Sequence, residues 1–310
     1  MLFSDLAKAF KRLEETSSRI TLIQILADLF RETPPDEIAP TTYLLQGRLA
    51  PAFVPLEMGM GLKNVASAIA EAYAIDRDAV LERYDRVGDL GTAAGQLAAE
   101  SRSSHLAAAT LEVHQVFTAL LEIARTAGAG SAQGKVSAFA GIISELDPLS
   151  VIYLCRIPLG TLRLGVGDVT ILDAFSLACT GDRKLRPHLE RAYNETSDLG
   201  LIGATLWTGG IEAVDALGVK IGNPVRPMLA ERLPSAEAIL ATLGRCSIES
   251  KYDGFRCQVH RSGDTVKIFS RNLEEMTDAF PEIVAAATRQ LTSDGLVTEV
   301  EESTTCCYAV

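Results

Sequence analysis

An all-helical first part followed by a smaller α+β part with antiparallel strands is the fold class the sequence predicts, and three observations predict it. Up to about Gly218 the apolar residues recur at helical spacing with little β-branched alternation. Asn223-Pro224-Val225-Arg226-Pro227 then interrupts the pattern with two prolines, and from Ile248 the period becomes two. The implied multidomain organisation is residues 1–222, a linker and lead-in over 223–234, and a second part over 235–310.

Leu6, Phe10 and Leu13 at i, i+4 and i+7 give a first helix one apolar stripe. Ser17-Ser18 separates it from a second helix, Ile20 through Phe30, ended by Pro34-Pro35. Further amphipathic faces lie at Leu62, Val65, Ala66, Ile69 and Tyr73, and at Val113, Val116, Phe117 and Leu120. Another runs through Val136, Phe139, Ile142, Ile143 and Leu146, and Asp147-Pro148 stops it. Beyond the prolines a short helix is predicted over about 235–243. Phe255, Cys257 and Val259 then alternate with Arg256, Gln258 and His260, and Val266, Ile268 and Ser270 with Lys267, Phe269 and Arg271. The five residues Arg261 to Thr265 between them read as a hairpin turn. A proline-started helix from about Pro281 to Gln290 and a strand from Leu296 to Glu301 complete the order.

The chain has 310 residues, 47% of them hydrophobic and 22% charged, which excludes disorder as its main state. No apolar run approaches the roughly 20 residues that span a bilayer, and the start lacks a basic region before an apolar core. A cytoplasmic protein with no membrane partner is expected. The net charge of −11 argues against a surface that coats polyanions indiscriminately, though a local basic track remains compatible with it. Six cysteines without C-x-x-C spacing and four scattered histidines predict neither a zinc site nor a disulfide framework.

Two glycine-rich stretches imitate phosphate loops. Gly130 to Gly134 encloses three residues where a Walker loop needs four, and Val136 rather than Ser or Thr follows Lys135. This stretch reads as a helix connection. Gly165-Val166-Gly167 lacks the third glycine of a dinucleotide fingerprint and no strand leads into it, so a turn is predicted.

Glu249-Ser250-Lys251-Tyr252-Asp253-Gly254-Phe255-Arg256 is different. It sets a lysine at a strand-to-turn junction beside a glycine that lets a ligand approach the backbone, with charges of both signs around it. Lys-x-Asp-Gly alone reads rather as a solvated hairpin turn. Taken with Ser270-Arg271-Asn272 and a later Glu301, the segment resembles the ATP-dependent DNA ligases of archaeal type, whose motif E-x-K-x-D-G-x-R carries the lysine that becomes adenylylated. Tyr43 to Leu49, Glu57 to Gly61, Leu162 to Val166 and Pro227 to Ala230 extend the resemblance over nearly the whole chain.

The resemblance implies an all-α N-terminal DNA-binding domain followed by an incomplete α+β antiparallel nucleotidyltransferase (adenylation) domain. It implies ATP and Mg²⁺ as cofactors, nicked double-stranded DNA as partner, a sliding clamp as a further partner, and a monomer. Lys251 would attack the α-phosphorus, which requires an unprotonated amine although a free lysine titrates near 10.4. Glu249 would accept from the adenine amino group, as an ionised carboxylate can. Arg256 and Arg271 would hold ribose and phosphate oxygens with their planar donors. Glu301, with Glu299 as the alternative, would contact the ribose or a metal-bound water; no residue is assigned to a metal. Arg48 and Arg163, beside glycines in loops of the helical part, would contact DNA backbone and minor groove, positioning the duplex without reading it.

The sequence stops at Val310, just after the third motif, so a truncated or frame-shifted product is expected, with no OB-fold domain and little nick sealing of its own. Its tail, Ser303 to Val310, shows no apolar strand continuation, and the partial sheet is expected to expose strand edges. A non-catalytic DNA-binding fragment with an empty adenylation pocket is the alternative reading.

Overall fold

The computed structural model describes the chain except residues 103–109, 129, 228–230, 247, 249–253, 292–294, 304–305 and 310, and except the side chains of 102, 296, 299–303 and 306–309. The chain divides into two compact units. The first comprises Met1–Pro51, Leu56–Tyr193 and Asp198–Leu217; the second comprises Ala52–Pro55, Asn194–Ser197 and Gly218–Val310.

The first unit is built of helices. They are α1 (Phe3–Glu14), α2 (Arg19–Glu32), α3 (Ile38–Leu45), α4 (Leu62–Tyr73), α5 (Arg77–Val87), α6 (Leu90–Arg102) and α7 (Val113–Arg125). They continue with α8 (Ser131–Glu145), α9 (Pro148–Arg156), α10 (Asp168–Thr180), α11 (Arg186–Thr196), whose residues from Asn194 on count with the second unit, and α12 (Leu199–Asp215). The five predicted apolar stripes lie on α1, α2, α4, α7 and α8. Ser18 caps α2 by accepting from the Thr21 amide. Asp147-Pro148 both ends α8 and starts α9, with Asp147 accepting from the Leu149 and Ser150 amides and Pro148 in the first helical position. The stretch expected to be a plain helix connection splits: Gly128 and Gly130 take positive φ, while Ser131 to Lys135 already belong to α8.

Aromatic side chains knit this unit together. Phe30 of α2, Phe175 of α10 and Trp207 of α12 form a triangle with centroids 4.6, 5.6 and 6.0 Å apart. Arg156, 9% exposed at the end of α9, bridges Glu14 of α1 (2.9 Å) and Asp89 (3.0 Å), and Asp89 also accepts from the Thr92 amide at the start of α6. Every donor of a buried guanidinium left unmet would cost desolvation energy, so this pairing fixes the packing of three helices.

The second unit holds α13 (Ala236–Leu243), β1 (Phe255–Ser262), β2 (Thr265–Ser270), α14 (Pro281–Gln290), β3 (Leu296–Ser303) and β4 (Cys306–Ala309). The strands form one antiparallel sheet in the order β2-β1-β3-β4. Cys257 and Val259 of β1 and Ile268 of β2 pack on Ile283 and Ala287 of α14. The hairpin is tighter than expected. Ser262 pairs with Thr265, leaving only Gly263-Asp264 as the turn, with Gly263 at φ 55° to follow the strand twist.

Three further features depart from the sequence expectation. The period-two pattern would suit a sheet with one wet face, yet Gln258 (7% exposed), His260 (0%) and Phe269 (0%) on the second face are buried as well. Phe53 and Leu273 pack against Phe269 there. The tail, expected to show no apolar strand continuation, contributes β4, paired with β3 from Val300↔Ala309 to Ser303↔Cys306; backbone hydrogen bonding to a strand edge does not require an apolar pattern. The outer edge of β2 is covered rather than open: Met276 N donates to Ile268 O, Ile268 N to Thr277 Oγ1 and Ser270 N to Glu274 O. That satisfies the groups that would otherwise recruit another strand.

Candidate functional site

In the helical unit, the two loops singled out for Arg48 and Arg163 come together. Helix α3 ends in a left-handed Gly47 (φ 66°), and the Arg48 amide reaches back to Tyr43 O at 2.9 Å, closing a Schellman turn that leaves the Arg48 side chain exposed. A Cβ on Gly47 would touch Leu162 at 3.6 Å, which places the second loop directly against the first. Leu45, Gln46, Leu162, Leu164 and the Gly165-Val166-Gly167 turn line a cavity of about 310 Å³, and Arg163 is exposed beside it. Gly165 has φ 66°, the turn expected there, and Gly167 precedes the first residue of α10.

The floor of this region is held by carboxylates that the sequence reading did not single out. Asp168 accepts from Gln46 Nε2 (3.2 Å) and from the Tyr193 hydroxyl (2.6 Å). Asp198 accepts from the Tyr43 hydroxyl at 2.8 Å and caps α12 through the Leu201 amide. Burial, then the Asp198 carboxylate, push the Tyr43 hydroxyl far above the usual phenol range, so it remains a donor. The only sequence cue for these partners was an acidic residue at each helix start, Gly167-Asp168 and Asp198-Leu199.

In the sheet unit, register decides which residues meet. Cys257 pairs with Ser270, so Arg256 and Arg271 flank the last rung at one end of the β1–β2 ladder. Arg256 pairs with Glu301 across β3. Arg256, Arg271 and Glu301 are thereby brought to the same end of three adjacent strands, the end from which β1 leaves Gly254. Arg256 and Arg271 are both exposed. The alternative Glu299 pairs with Gln258, two rungs into the sheet. Ser270 shapes the turn that carries Arg271: its Oγ accepts from the Asn272 and Glu274 amides at 3.2 Å each. Glu249 and Lys251, and Asp253 with them, lie outside the described residues.

Gln258 and His260 are the residues of this unit that the sequence reading passed over. Their signal was present: a Gln and a His on the polar side of an otherwise apolar strand have to be either wet or hydrogen-bonded. Among the described residues one cluster offers three metal-ligand atoms within 4.8 Å of one another, Glu37, Glu112 and His114. Its inner carboxylate is already engaged by the Met1 amino group (2.5 Å) and the His114 amide (3.0 Å). A half-exposed imidazole and an occupied carboxylate do not fit the octahedral all-oxygen shell Mg²⁺ prefers. Among the described residues no helix is long and apolar enough to cross a membrane.

Comparison with known proteins accounts for both units. Residues 2–176 match the family described as DNA ligase N terminus, and residues 227–302 match the ATP dependent DNA ligase domain. Both matches are to nucleic-acid ligases. The chain belongs to the ATP-dependent DNA ligase family. It is 44% identical over 301 residues to a probable DNA ligase of Dictyoglomus thermophilum, covering 97% of this chain and 51% of that protein. It is 38% identical over 302 residues to a DNA ligase of Cenarchaeum symbiosum, with 97% and 51% covered. For a DNA ligase of Aeropyrum pernix the figures are 39% over 314 residues, 97% and 52%. The chain thus spans about half the length of the curated relatives it matches.

Proposed function

We propose that this chain is the DNA-gripping and nucleotide-accepting half of an ATP-dependent DNA ligase that seals nicks in duplex DNA during replication, repair and recombination. Residues 1–222 form the DNA-binding domain in this reading, 223–234 the lead-in, and 235–310 the first portion of the adenylation domain. The observation that carries it is the register that gathers Arg256, Arg271 and Glu301 at the end of the sheet adjoining the Lys251 segment.

Lys251 Nζ attacks the α-phosphorus of ATP; the new N–P bond forms as the bond to the pyrophosphate oxygen breaks. Arg256 and Arg271 face the phosphate and ribose oxygens, Glu249 selects adenine and Glu301 meets the ribose. AMP then passes to a DNA 5′-phosphate, and the neighbouring 3′-hydroxyl displaces it to restore the phosphodiester. Mg²⁺ bound with the nucleotide would neutralise charge on the phosphates; no residue here is assigned to it. Arg48 and Arg163 contact the backbone of the nicked duplex. The protein acts in the cytoplasm as a monomer, with a sliding clamp as a further partner.

Incubation with ATP labelled at the α-phosphate tests this reading. Protein-bound label that survives denaturation and vanishes in Lys251→Ala is expected, with little sealing of a nicked duplex by residues 1–310 alone. Label that persists in Lys251→Ala would overturn the assignment. The second reading, a DNA-binding fragment that accepts no nucleotide, is favoured by the paired Arg48 and Arg163 loops, which are complete without the sheet unit. It predicts salt-sensitive binding of duplex and no label at all.

A further inference from the structure

The second face of β1 is spent on holding a stretch of backbone. Gln258 places its amide against Val225 as a strand would: Val225 N donates to Gln258 Oε1 at 2.9 Å, and Gln258 Nε2 donates to Val225 O. His260 Nδ1 accepts from the Gly222 amide at 3.0 Å, which puts the ring proton on Nε2, facing Gln258 Oε1 at 3.4 Å. The imidazole is fully buried and stands edge-on to Phe269 with centroids 4.9 Å apart. From the other side Ser197 Oγ donates to Pro224 O at 2.5 Å, and the Arg226 amide donates to Asn194 O at 2.8 Å. The proline-rich stretch read as a linker is therefore pinned on both flanks.

The geometry points to Gln258 and His260 as positioning residues of the adenylation reaction, acting as a clamp that fixes the 222–226 backbone against the strand leading out of the Lys251 segment. Gln258 lies seven residues after Lys251 in the sequence, and the clamped segment is followed in the sequence by residues 227–231. A phosphoryl transfer with little covalent chemistry for the protein to do depends on placement, so slack in either stretch would be felt at the reacting amine. This inference rests on the reading above for its chemistry, while the clamp itself is a separate structural statement.

The test compares the 310-residue chain with Gln258→Met and His260→Phe, which keep shape and lose the polar atoms, and with His260→Asn, whose side-chain oxygen can replace the Nδ1 acceptor. Hydrogen exchange over 219–227 and the rate of label transfer from α-labelled ATP at saturating nucleotide are the two readouts. Release of the segment, with exchange at least about tenfold faster, is expected in Gln258→Met and His260→Phe while the helical unit keeps its protection. Label transfer in these two is expected to fall by on the order of 10- to 100-fold, with a smaller change in half-saturating ATP and partial recovery in His260→Asn. Exchange of 219–227 at the free-peptide rate in the unsubstituted chain overturns the proposal, as does continued protection in both variants. So does full-rate labelling after the segment is released. An unlabelled parent chain counts against the adenylation reading alone, and the exchange measurement still decides whether the clamp exists.

Discussion

Arg48 and Arg163 are carried by backbone geometry: a left-handed glycine, directly before Arg48 and two positions after Arg163, turns each loop, and both side chains are exposed. Long cationic side chains in such places contribute little to folding, so their substitution tests the proposed duplex contact with little change in stability. Each substitution to alanine is expected to lower the slope of log affinity against log salt for nicked duplex by roughly one phosphate contact, equally for unrelated sequences. Fluorescence anisotropy titrations at several salt concentrations measure that slope. An unchanged slope in both variants would remove these arginines from the interface. The loop positions of both residues were legible because Gly-Arg and Arg-x-Gly in a helical context mark loop ends. Gln46 and Asp168 were not, because a hydrogen bond joining residues 122 apart in sequence leaves no local pattern.

At the scale of elements, glycine does opposite things in different helices. On α6, a Cβ at Gly91 would sit 2.5 Å from Ile152 O of α9, and one at Gly95 would sit 2.9 Å from Pro148 O. On α8, Gly134 and Gly141 face nothing within 4 Å. Alanine favours a helix by about 1 kcal/mol over glycine, so Gly134→Ala and Gly141→Ala are expected to raise the melting temperature slightly. Gly91→Ala should lower it, because a backbone oxygen cannot step aside and overpacking costs about 1–3 kcal/mol. Thermal unfolding by circular dichroism separates the cases; stabilisation by Gly91→Ala would mean that α6 and α9 are not in this contact. The sheet shows the same dependence on context. Its strands were readable from period two, but the burial of Gln258 and His260 was not, since alternation says which residues share a face and nothing of what covers it.

For the molecule as a whole, acid should act on the two units differently. Burial first, then Lys267 across the β1–β2 ladder, hold the His260 pKa down at about 4 from an ordinary 6.5; Glu275 in turn pairs with Lys267 at 3.1 Å. Between those values the unfolded chain binds a proton that the folded chain refuses. The contribution is therefore fully present above about pH 6.5 and declines as the pH falls toward 4. Protonation would also turn Nδ1 into a donor against the Gly222 amide. A loss on the order of 2 kcal/mol between pH 7 and pH 5 is expected in denaturant unfolding of the sheet unit, and His260→Phe should abolish that pH dependence. Trp207, the single tryptophan, lies in the helical unit and reports on it separately. Equal pH dependence in the His260→Phe variant would show that another group is responsible.

What the sequence by itself determined was the order and kind of the elements and the residues with chemistry to offer. Helical and strand periodicities, prolines and capping residues act over a few positions, and so do the charges around Lys251. Tertiary structure alone decided which of those residues share a place. The antiparallel register sets Arg256 beside Glu301, 45 positions onward in the chain, and the fold brings the Arg48 and Arg163 loops to one cavity. It also decided that the stretch read as a linker is clamped, and that a tail without apolar pattern pairs as β4. Each of these depends on contacts between distant segments, whose free energy is written in packing and hydrogen bonds rather than in local propensity.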